Sequence, residues 1–180
     1  MTKQQIRKRY LQLRQEISVA DYQRFSAALV TAFCQLSLPG AQHVLSYSTL
    51  TARNEFDPSP CIHHLQLHFP QLKIAFPRIL NDAGIMEAVL SSPETVYQPN
   101  TFGILEPSGG NVLPPNLIDL VFVPLVAVDQ NGFRVGYGKG YYDRFLSACR
   151  KEVTRVGFSF FEPLPSIDDL GVHDVPLNFC

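Results

Sequence analysis

What the 180-residue sequence lacks narrows its class before any motif is read. No apolar run approaches the roughly 18 residues of a membrane-spanning helix, and the N-terminal TKQQIRKRYLQLRQ has no apolar stretch of the kind found in a secretory signal. A cytoplasmic protein with no membrane partner is expected. Charge of one sign is also scarce: 15 Lys and Arg stand against 16 Asp and Glu, a formal net charge of -1. No global field exists to hold nucleic acid, so any anion site must be local. The four cysteines, Cys34, Cys61, Cys149 and Cys180, include no C-x-x-C pair. Neither a zinc knuckle nor a redox dithiol is suggested, and reduced thiols are expected. Internal repeats and low-complexity tracts are missing too. What is present is a chain 46% hydrophobic and 17% charged, which excludes intrinsic disorder. At this length roughly 70% of the unfolded surface can be buried. A single domain over residues 1–180 is expected, as a monomer or at most a weak dimer.

Hydrophobic periodicity predicts the elements. Ile6, Tyr10, Leu13 and Ile17 follow the 4, 3, 4 spacing of one helical face over residues 2–17. On the same wheel Lys3, Arg7 and Arg14 lie within about 40° of one another and roughly 70° from the apolar stripe. This helix can dock while offering a basic edge, and its basic residues all precede the first acid, Glu16. Ser18 and Asp21 resemble a capping box that opens a second helix through Phe25, Leu29, Phe33 and Leu36, ended by Pro39-Gly40. Strands are predicted at 43–49, at 73–79 and over GIMEAVL, with a short helix over SPCIHHLQLHF. The run LIDLVFVPLVAV at 117–128 reads as a strand buried on both faces, with Pro124 marking a bulge or break. A helix at about 141–151 and the strand RVGFSF follow. The alternation favours an α/β sheet with helices on both sides. The Pro- and Gly-rich stretch 93–115 reads as a long surface excursion.

The chemistry concentrates in DQNGFRVGYGKGYYDRFL, residues 129–146, directly after the buried strand. Gly132, Gly136, Gly138 and Gly140 remove side chains where backbone amides can converge on an anion, and Arg134 and Lys139 supply positive charge. The following YYDRFLSACR opens a helix whose N-terminal amides add to that field. Asp143 stands near the helix start, where a single carboxylate can share magnesium with phosphate oxygens. Two familiar nucleotide motifs fail. Gly132 leaves five residues before Gly138 where a Walker loop needs four, and Gly140 follows Lys139 where Ser or Thr should stand; Tyr141 occupies the third glycine position of a Rossmann turn. From spacing alone the segment is a phosphate-binding loop or a glycine-rich turn whose tyrosines merely pack.

GFRVGYGKGYYDRFL resembles the signature of the 5-formyltetrahydrofolate cyclo-ligases, also called 5,10-methenyltetrahydrofolate synthetases. The resemblance spans nearly the whole chain: K-x-x-[IL]-R at Lys3–Arg7, an acid at Glu55, FPR at 76–78, FGILEP at 102–107, the strand before the loop, and HDVPL at 173–177. It implies a NagB/RpiA/CoA-transferase-like α/β fold. It also implies ATP-dependent closure of 5-formyltetrahydrofolate to 5,10-methenyltetrahydrofolate, with magnesium as cofactor. Carried over by position, Lys3, Gln4, Gln5, Ile6 and Arg7 would meet ATP from the first helix, and Arg134, Val135, Gly136, Tyr137, Gly138, Lys139, Gly140, Tyr141 and Tyr142 would wrap its phosphates. Arg134 and Lys139 would be catalytic. Tyr137, Gly138, Lys139, Gly140 and Tyr141 would also border the folate, and Glu55 would bind the pterin. Asp143 and Asp174 would hold magnesium. Arg78 and Glu106 match family positions without an assigned role.

Plainer readings stand beside these. The basic edge of the first helix is otherwise a solvated face, Glu55 a cap for the turn at Asp57-Pro58, and His173-Asp174 a structural turn. His64 and His68 are spaced to face one another on a helix, but zinc needs further ligands and no H-E-x-x-H occurs. Phe158, Phe160 and Phe161 read as core. Two rival functions remain open: a phosphosugar isomerase or CoA-transferase-like enzyme without ATP turnover, and a noncatalytic RNA-binding module using the basic helix.

Overall fold

The computed structural model describes residues 1–38, 40–80 and 84–180. Helix α1 (Lys3–Gln15) opens on a capping box: Thr2 accepts the Gln5 amide while the Gln5 side chain returns to the Thr2 amide. The cap of α2 (Val19–Cys34) is Ser18, whose side chain accepts the Asp21 amide at 3.1 Å. This helix stops two residues before Leu36, which packs on the core from beyond the helix end. Pro39, half of the expected stop signal, lies outside the described residues.

Strands β1 (His43–Leu45), β2 (Lys73–Leu80), β3 (Ile85–Leu90), β6 (Val112–Leu113), β7 (Leu120–Val123) and β10 (Thr154–Gly157) form one sheet in the order β10-β7-β1-β2-β3-β6. The pairs β1–β2, β1–β7 and β7–β10 are parallel, whereas β2–β3 and β3–β6 are antiparallel. The sheet is therefore mixed, with helices on both faces. The strand alternation shows directly in the packing. Val44, Ile74, Leu120 and Phe122 face Phe33 of α2 and Cys61 and Leu65 of α3 (Ser59–His68). Leu45, Ala75, Val121 and Val123 face Phe145 and Leu146 of α4 (Tyr141–Ala148). Every residue of β7 is buried, and Pro124 ends the strand before β8 (Ala127–Val128), which pairs antiparallel with β9 (Arg134–Val135). None of the helices among the described residues is long and apolar enough to cross a membrane.

Two expectations need correction. The strand predicted over 43–49 ends at Leu45, where its pairing with β2 and β7 stops; the Ser46 amide still donates to the Ala75 carbonyl at 2.9 Å, and the Tyr47 hydroxyl turns to the Phe56 carbonyl at 3.0 Å. The stretch 93–115 is not a mere excursion. It builds the hairpin β4 (Tyr97–Pro99) and β5 (Leu105–Pro107) and then supplies edge strand β6. The connection from β1 leads to β2 on one side, while β7 and β10 lie on the other. In an open α/β sheet the crevice outside the strand ends at such a switch point is where ligands bind.

Candidate functional site

A cavity of about 490 Å³ occupies that crevice. Its walls come from the segment after β1, the β2 strand, the 100–106 hairpin, the N-terminal end of α1, and the glycine loop that joins β9 to α4. Most of the residues singled out in the sequence meet here: Lys3, Arg7, Glu55, Arg134, Gly136, Tyr137, Gly138, Lys139, Gly140, Tyr141, Tyr142, Asp143 and Asp174.

Four do not. Gln4 and Gln5 face solvent, Gln5 as part of the cap. Ile6 and Val135 are completely buried in a small core with Ala127 and Ile167. Their work is mechanical, since burying Ile6 against β8 and β9 sets α1 down with Lys3 and Arg7 toward the loop. Five consecutive residues of a helix, Lys3 to Arg7, cannot all face one ligand, although the first and last share a face.

The cationic end of the cavity is built by backbone geometry. Gly138 and Gly140 have φ of +92° and +68°, a region that side-chain-bearing residues rarely adopt. The Arg7 Nε donates to the Gly136 carbonyl at 2.8 Å. Arg144 holds the far side, donating to the Lys139 carbonyl at 2.9 Å and to the Gly84 carbonyl at 3.0 Å. Lys139 extends across the mouth, its ammonium 5.6 Å from the centre of the Phe102 ring. Gly140 begins α4 without any side-chain cap, so the helix start offers unclaimed amides to an anion.

The acidic groups at this end are already paired. Arg134 is 7% exposed and donates to the Val175 carbonyl at 2.7 Å and to Asp143 Oδ1 at 2.9 Å. It ties the C-terminal segment to α4 while still lining the cavity. The Lys3 ammonium donates to both oxygens of Asp174, and the Gly171 amide adds a third bond. Burial alone would raise the Asp174 pKa, but the Lys3 and Gly171 bonds outweigh it and hold this carboxyl below the usual range.

The opposite end is built around a buried carboxylate. Glu55 is 3% exposed. Its Oε2 accepts the Leu50 amide at 2.9 Å and its Oε1 accepts the Tyr137 hydroxyl at 2.7 Å. Burial pushes its pKa up, against the pull of those two hydrogen bonds and of Arg14 and Arg53. Desolvation first, then the Glu55 charge, drives the Tyr137 hydroxyl well above its ordinary value. The hydroxyl of Tyr142 is buried and makes no hydrogen bond among the described residues. Glu106 also lines the cavity, accepting the Ile79 amide at 3.1 Å and the Asn100 side chain at 2.6 Å. Arg78 is not part of the lining; it pairs with Glu87 across β2–β3 at 2.8 Å.

The sequence reading missed several wall residues: Tyr47, Ser48, Leu50, Arg53, Phe102 and Ile104. The signal for Phe102 and Ile104 was present in FGILEP, but not their place in the cavity. Arg14 carried a signal as well, sharing the helix edge of Lys3 and Arg7.

As a whole the cavity joins a cationic, amide-rich end suited to phosphate to a buried carboxylate end that can accept hydrogen bonds from adjacent N–H groups of a heterocycle. Residues 1–164 match the 5-formyltetrahydrofolate cyclo-ligase family. The chain is 34% identical over 124 residues to the 5-formyltetrahydrofolate cyclo-ligase of Mycoplasma genitalium, covering 67% of this chain and 74% of that one. Similarity to the Mycoplasma pneumoniae enzyme of the same name is 27% over 121 residues, covering 57% of this chain and 63% of that relative's length. The solution structure of Aquifex aeolicus 5,10-methenyltetrahydrofolate synthetase superposes with a TM-score of 0.76 at 29% identity, over 99% of this chain and 88% of that one.

Proposed function

Because the chain belongs to the 5-formyltetrahydrofolate cyclo-ligase family, we propose that it couples ATP cleavage to closure of 5-formyltetrahydrofolate into 5,10-methenyltetrahydrofolate. The observation that carries this reading is the continuity of the two ends: a phosphate-type loop and a buried carboxylate share one cavity, with Tyr137 belonging to both. The chemistry requires such a junction. The N5-formyl oxygen is an amide oxygen and a poor leaving group, so N10 cannot displace it unaided. The formyl oxygen attacks the γ-phosphorus, the bond to the β-phosphate oxygen breaks, and ADP leaves. N10 then attacks the activated carbon, the carbon–oxygen bond breaks to release phosphate, and the N10 proton is lost as the ring closes.

Phosphoryl transfer of this kind depends on positioning and charge neutralisation more than on covalent help from the protein. The glycine loop amides, the start of α4, Arg7 and Lys139 serve the phosphates. Lys3 serves them by exchanging Asp174 for a phosphate oxygen. Glu55 accepts pterin N–H groups, and the unpartnered Tyr142 hydroxyl offers a further bond within the cavity. Arg134 acts by orienting Asp143 and anchoring the segment around Val175.

Magnesium supplies neutralisation of the triphosphate when bound. Asp143 fits it: among the described residues no hydrogen bond reaches Oδ2, and one carboxylate with phosphate oxygens and waters is sufficient. Asp174 fits less well, since Lys3 and Gly171 occupy both of its oxygens. We further propose that residues 1–180 form one catalytic domain of the NagB/RpiA/CoA-transferase-like type. The domain works as a cytoplasmic monomer without nucleic-acid or membrane partners.

Substrate labelled with ¹⁸O in the formyl group tests the chemical step. The label is expected in released phosphate, one atom per turnover; label released in water instead would remove the phosphorylated intermediate. A phosphosugar isomerase or CoA-transferase-like activity would consume no ATP, so ADP formed in step with product separates it from the cyclo-ligase. An RNA-binding module would give salt-sensitive RNA affinity that survives Gly138→Ala but is lost on Arg7→Ala; Arg14, expected from the sequence to share that role, is 4% exposed with its guanidinium turned into the protein and cannot serve it.

A further inference from the structure

We propose that Arg14, on the first helix and outside the cavity, is a positioning residue for the folate end of the site, holding Glu55 as an oriented carboxylate through the Tyr137 hydroxyl. This rests on the reading of Glu55 as the pterin acceptor. An arginine near the end of a surface helix normally extends into water; this one is 4% exposed. Its Nη2 donates to the Leu125 carbonyl at 2.6 Å, and its Nη1 donates to the Tyr137 oxygen at 3.3 Å. The Tyr137 hydroxyl in turn donates to Glu55 Oε1 at 2.7 Å. Because the guanidinium can only donate, it fixes the direction of the chain: the tyrosine oxygen accepts from Arg14, so its proton is committed to Glu55.

The anchoring on both sides argues that the relay is built rather than incidental. The Arg14 carbonyl accepts the Asn54 side chain at 3.0 Å. Asn54 itself adopts φ of +47°, in the left-handed region, immediately before Glu55. The Tyr22 hydroxyl donates to the Glu55 carbonyl at 2.9 Å. Contacts from two helices and the glycine loop therefore converge on Glu55 and the residues that hold it, α2 through the Glu55 backbone carbonyl and the loop through its carboxylate. Leu125, at the other end, follows the Pro124 break at the end of β7, which ties the relay to the sheet.

The charge works in the same direction as the geometry. Facing Glu55 are Arg14 from α1, Arg53 from the turn before it, Tyr47 from the segment after β1, Tyr22 from α2, Tyr137 from the glycine loop and Tyr142 from α4. Of these only the arginines are cationic, and Arg53 lies toward the cavity, with its guanidinium 5.2 Å from the centre of the Tyr137 ring. Removing Arg14 leaves a buried carboxylate with less compensation, so it takes up a proton at higher pH and ceases to accept from the pterin.

The test compares Arg14→Met, Arg14→Lys, Tyr137→Phe and Glu55→Gln with the wild type across pH, measuring kcat and separate KM values for 5-formyltetrahydrofolate and ATP. Arg14→Met is expected to raise the folate KM tenfold or more, leave the ATP KM within twofold, and move the acid limb of kcat/KM for folate to higher pH. Arg14→Lys keeps the charge but not both donors, and is expected to restore the pH limb without restoring the full affinity. A merely structural role predicts parallel loss for both substrates and an unmoved limb, and that result overturns the proposal. If Arg14→Met does not fold, Arg14→Lys and Tyr137→Phe decide the matter: wild-type folate KM in both contradicts the relay. Glu55→Gln separates the two levels. An unchanged folate KM there means the carboxylate does not bind the pterin, and the underlying functional reading fails instead.

Discussion

Gly138→Ala is a direct probe of the glycine loop, because its cost follows from the backbone angle of Gly138 and the atoms around it. Gly138 has φ of +92°, and a Cβ there would stand 3.1 Å from Arg7 Cζ and 3.2 Å from Nη2. Arg7 cannot retreat without giving up its bond to the Gly136 carbonyl. Holding an alanine in the left-handed region costs about 1–2 kcal/mol, and for a domain of this size each kcal/mol lowers Tm by roughly 2–4 °C. Keeping the loop conformation therefore predicts a Tm about 2–8 °C lower, from the product of those ranges. Letting the loop relax avoids that loss but moves the amides off the phosphates, and the deficit then appears as a rise in the ATP KM of roughly tenfold, the equivalent of about 1.4 kcal/mol. Gly136 supplies the internal comparison: its added carbon meets nothing within 4 Å and its φ is not positive, so Gly136→Ala is expected to melt as the wild type does. Thermal unfolding and initial rates at varied ATP read both channels. Wild-type Tm together with wild-type ATP KM in Gly138→Ala would refute the reasoning.

Lys139→Ala removes a cation from the cavity mouth and should lower kcat/KM for ATP by about 1–3 kcal/mol, the scale of a lost charge-assisted hydrogen bond; steady-state rates at varied ATP check it. Asp143→Asn should raise the magnesium concentration needed for half-maximal rate, and an unchanged magnesium titration would contradict the assignment. Glu55→Gln should weaken folate binding, because a glutamine oxygen can accept only one of the two donors, the Leu50 amide and the Tyr137 hydroxyl, that the carboxylate satisfies; the Glu55 charge itself should cost the wild type stability at neutral pH. The sign follows from burial: the folded-state pKa of Glu55 lies above its unfolded value, so its ionised form costs stability at higher pH and the cost fades as pH falls through the folded pKa. Asp174, held below its usual range, behaves oppositely, contributing stability that is lost on acidification. Phe122→Ala, in a completely buried position with edge contacts to Phe33 at 5.4 Å and Phe158 at 5.3 Å, should cost about 3–5 kcal/mol in denaturant unfolding.

Much of the molecule was legible where a residue's role follows from its own neighbours in the chain. The buried run of β7, its interruption at Pro124, the cap at Ser18 and the glycine loop are all local signals. What stayed hidden depends on partners distant in sequence. Nothing near Leu45 says that β1 ends there, because the end is set by where β2 and β7 stop pairing with it. The β4–β5 hairpin is too short for a periodicity to develop, yet it delivers Phe102 and Glu106 to the cavity. The site shows the same division. Glycines and charges marked the loop that lines the cavity, whereas the burial of Arg134 and Arg14, and their contacts toward Asp143 and Tyr137, appear only when the C-terminal segment and α1 are folded over them.

The most direct measurement is the near-ultraviolet absorbance of methenyltetrahydrofolate formed by purified protein with Mg²⁺, ATP and 5-formyltetrahydrofolate, beside a reaction lacking ATP. A cavity that joins a phosphate loop to a buried carboxylate predicts a rise that depends on ATP and is matched by ADP. Absence of the signal from folded protein that binds both substrates, or a rise of equal rate without ATP, would contradict it.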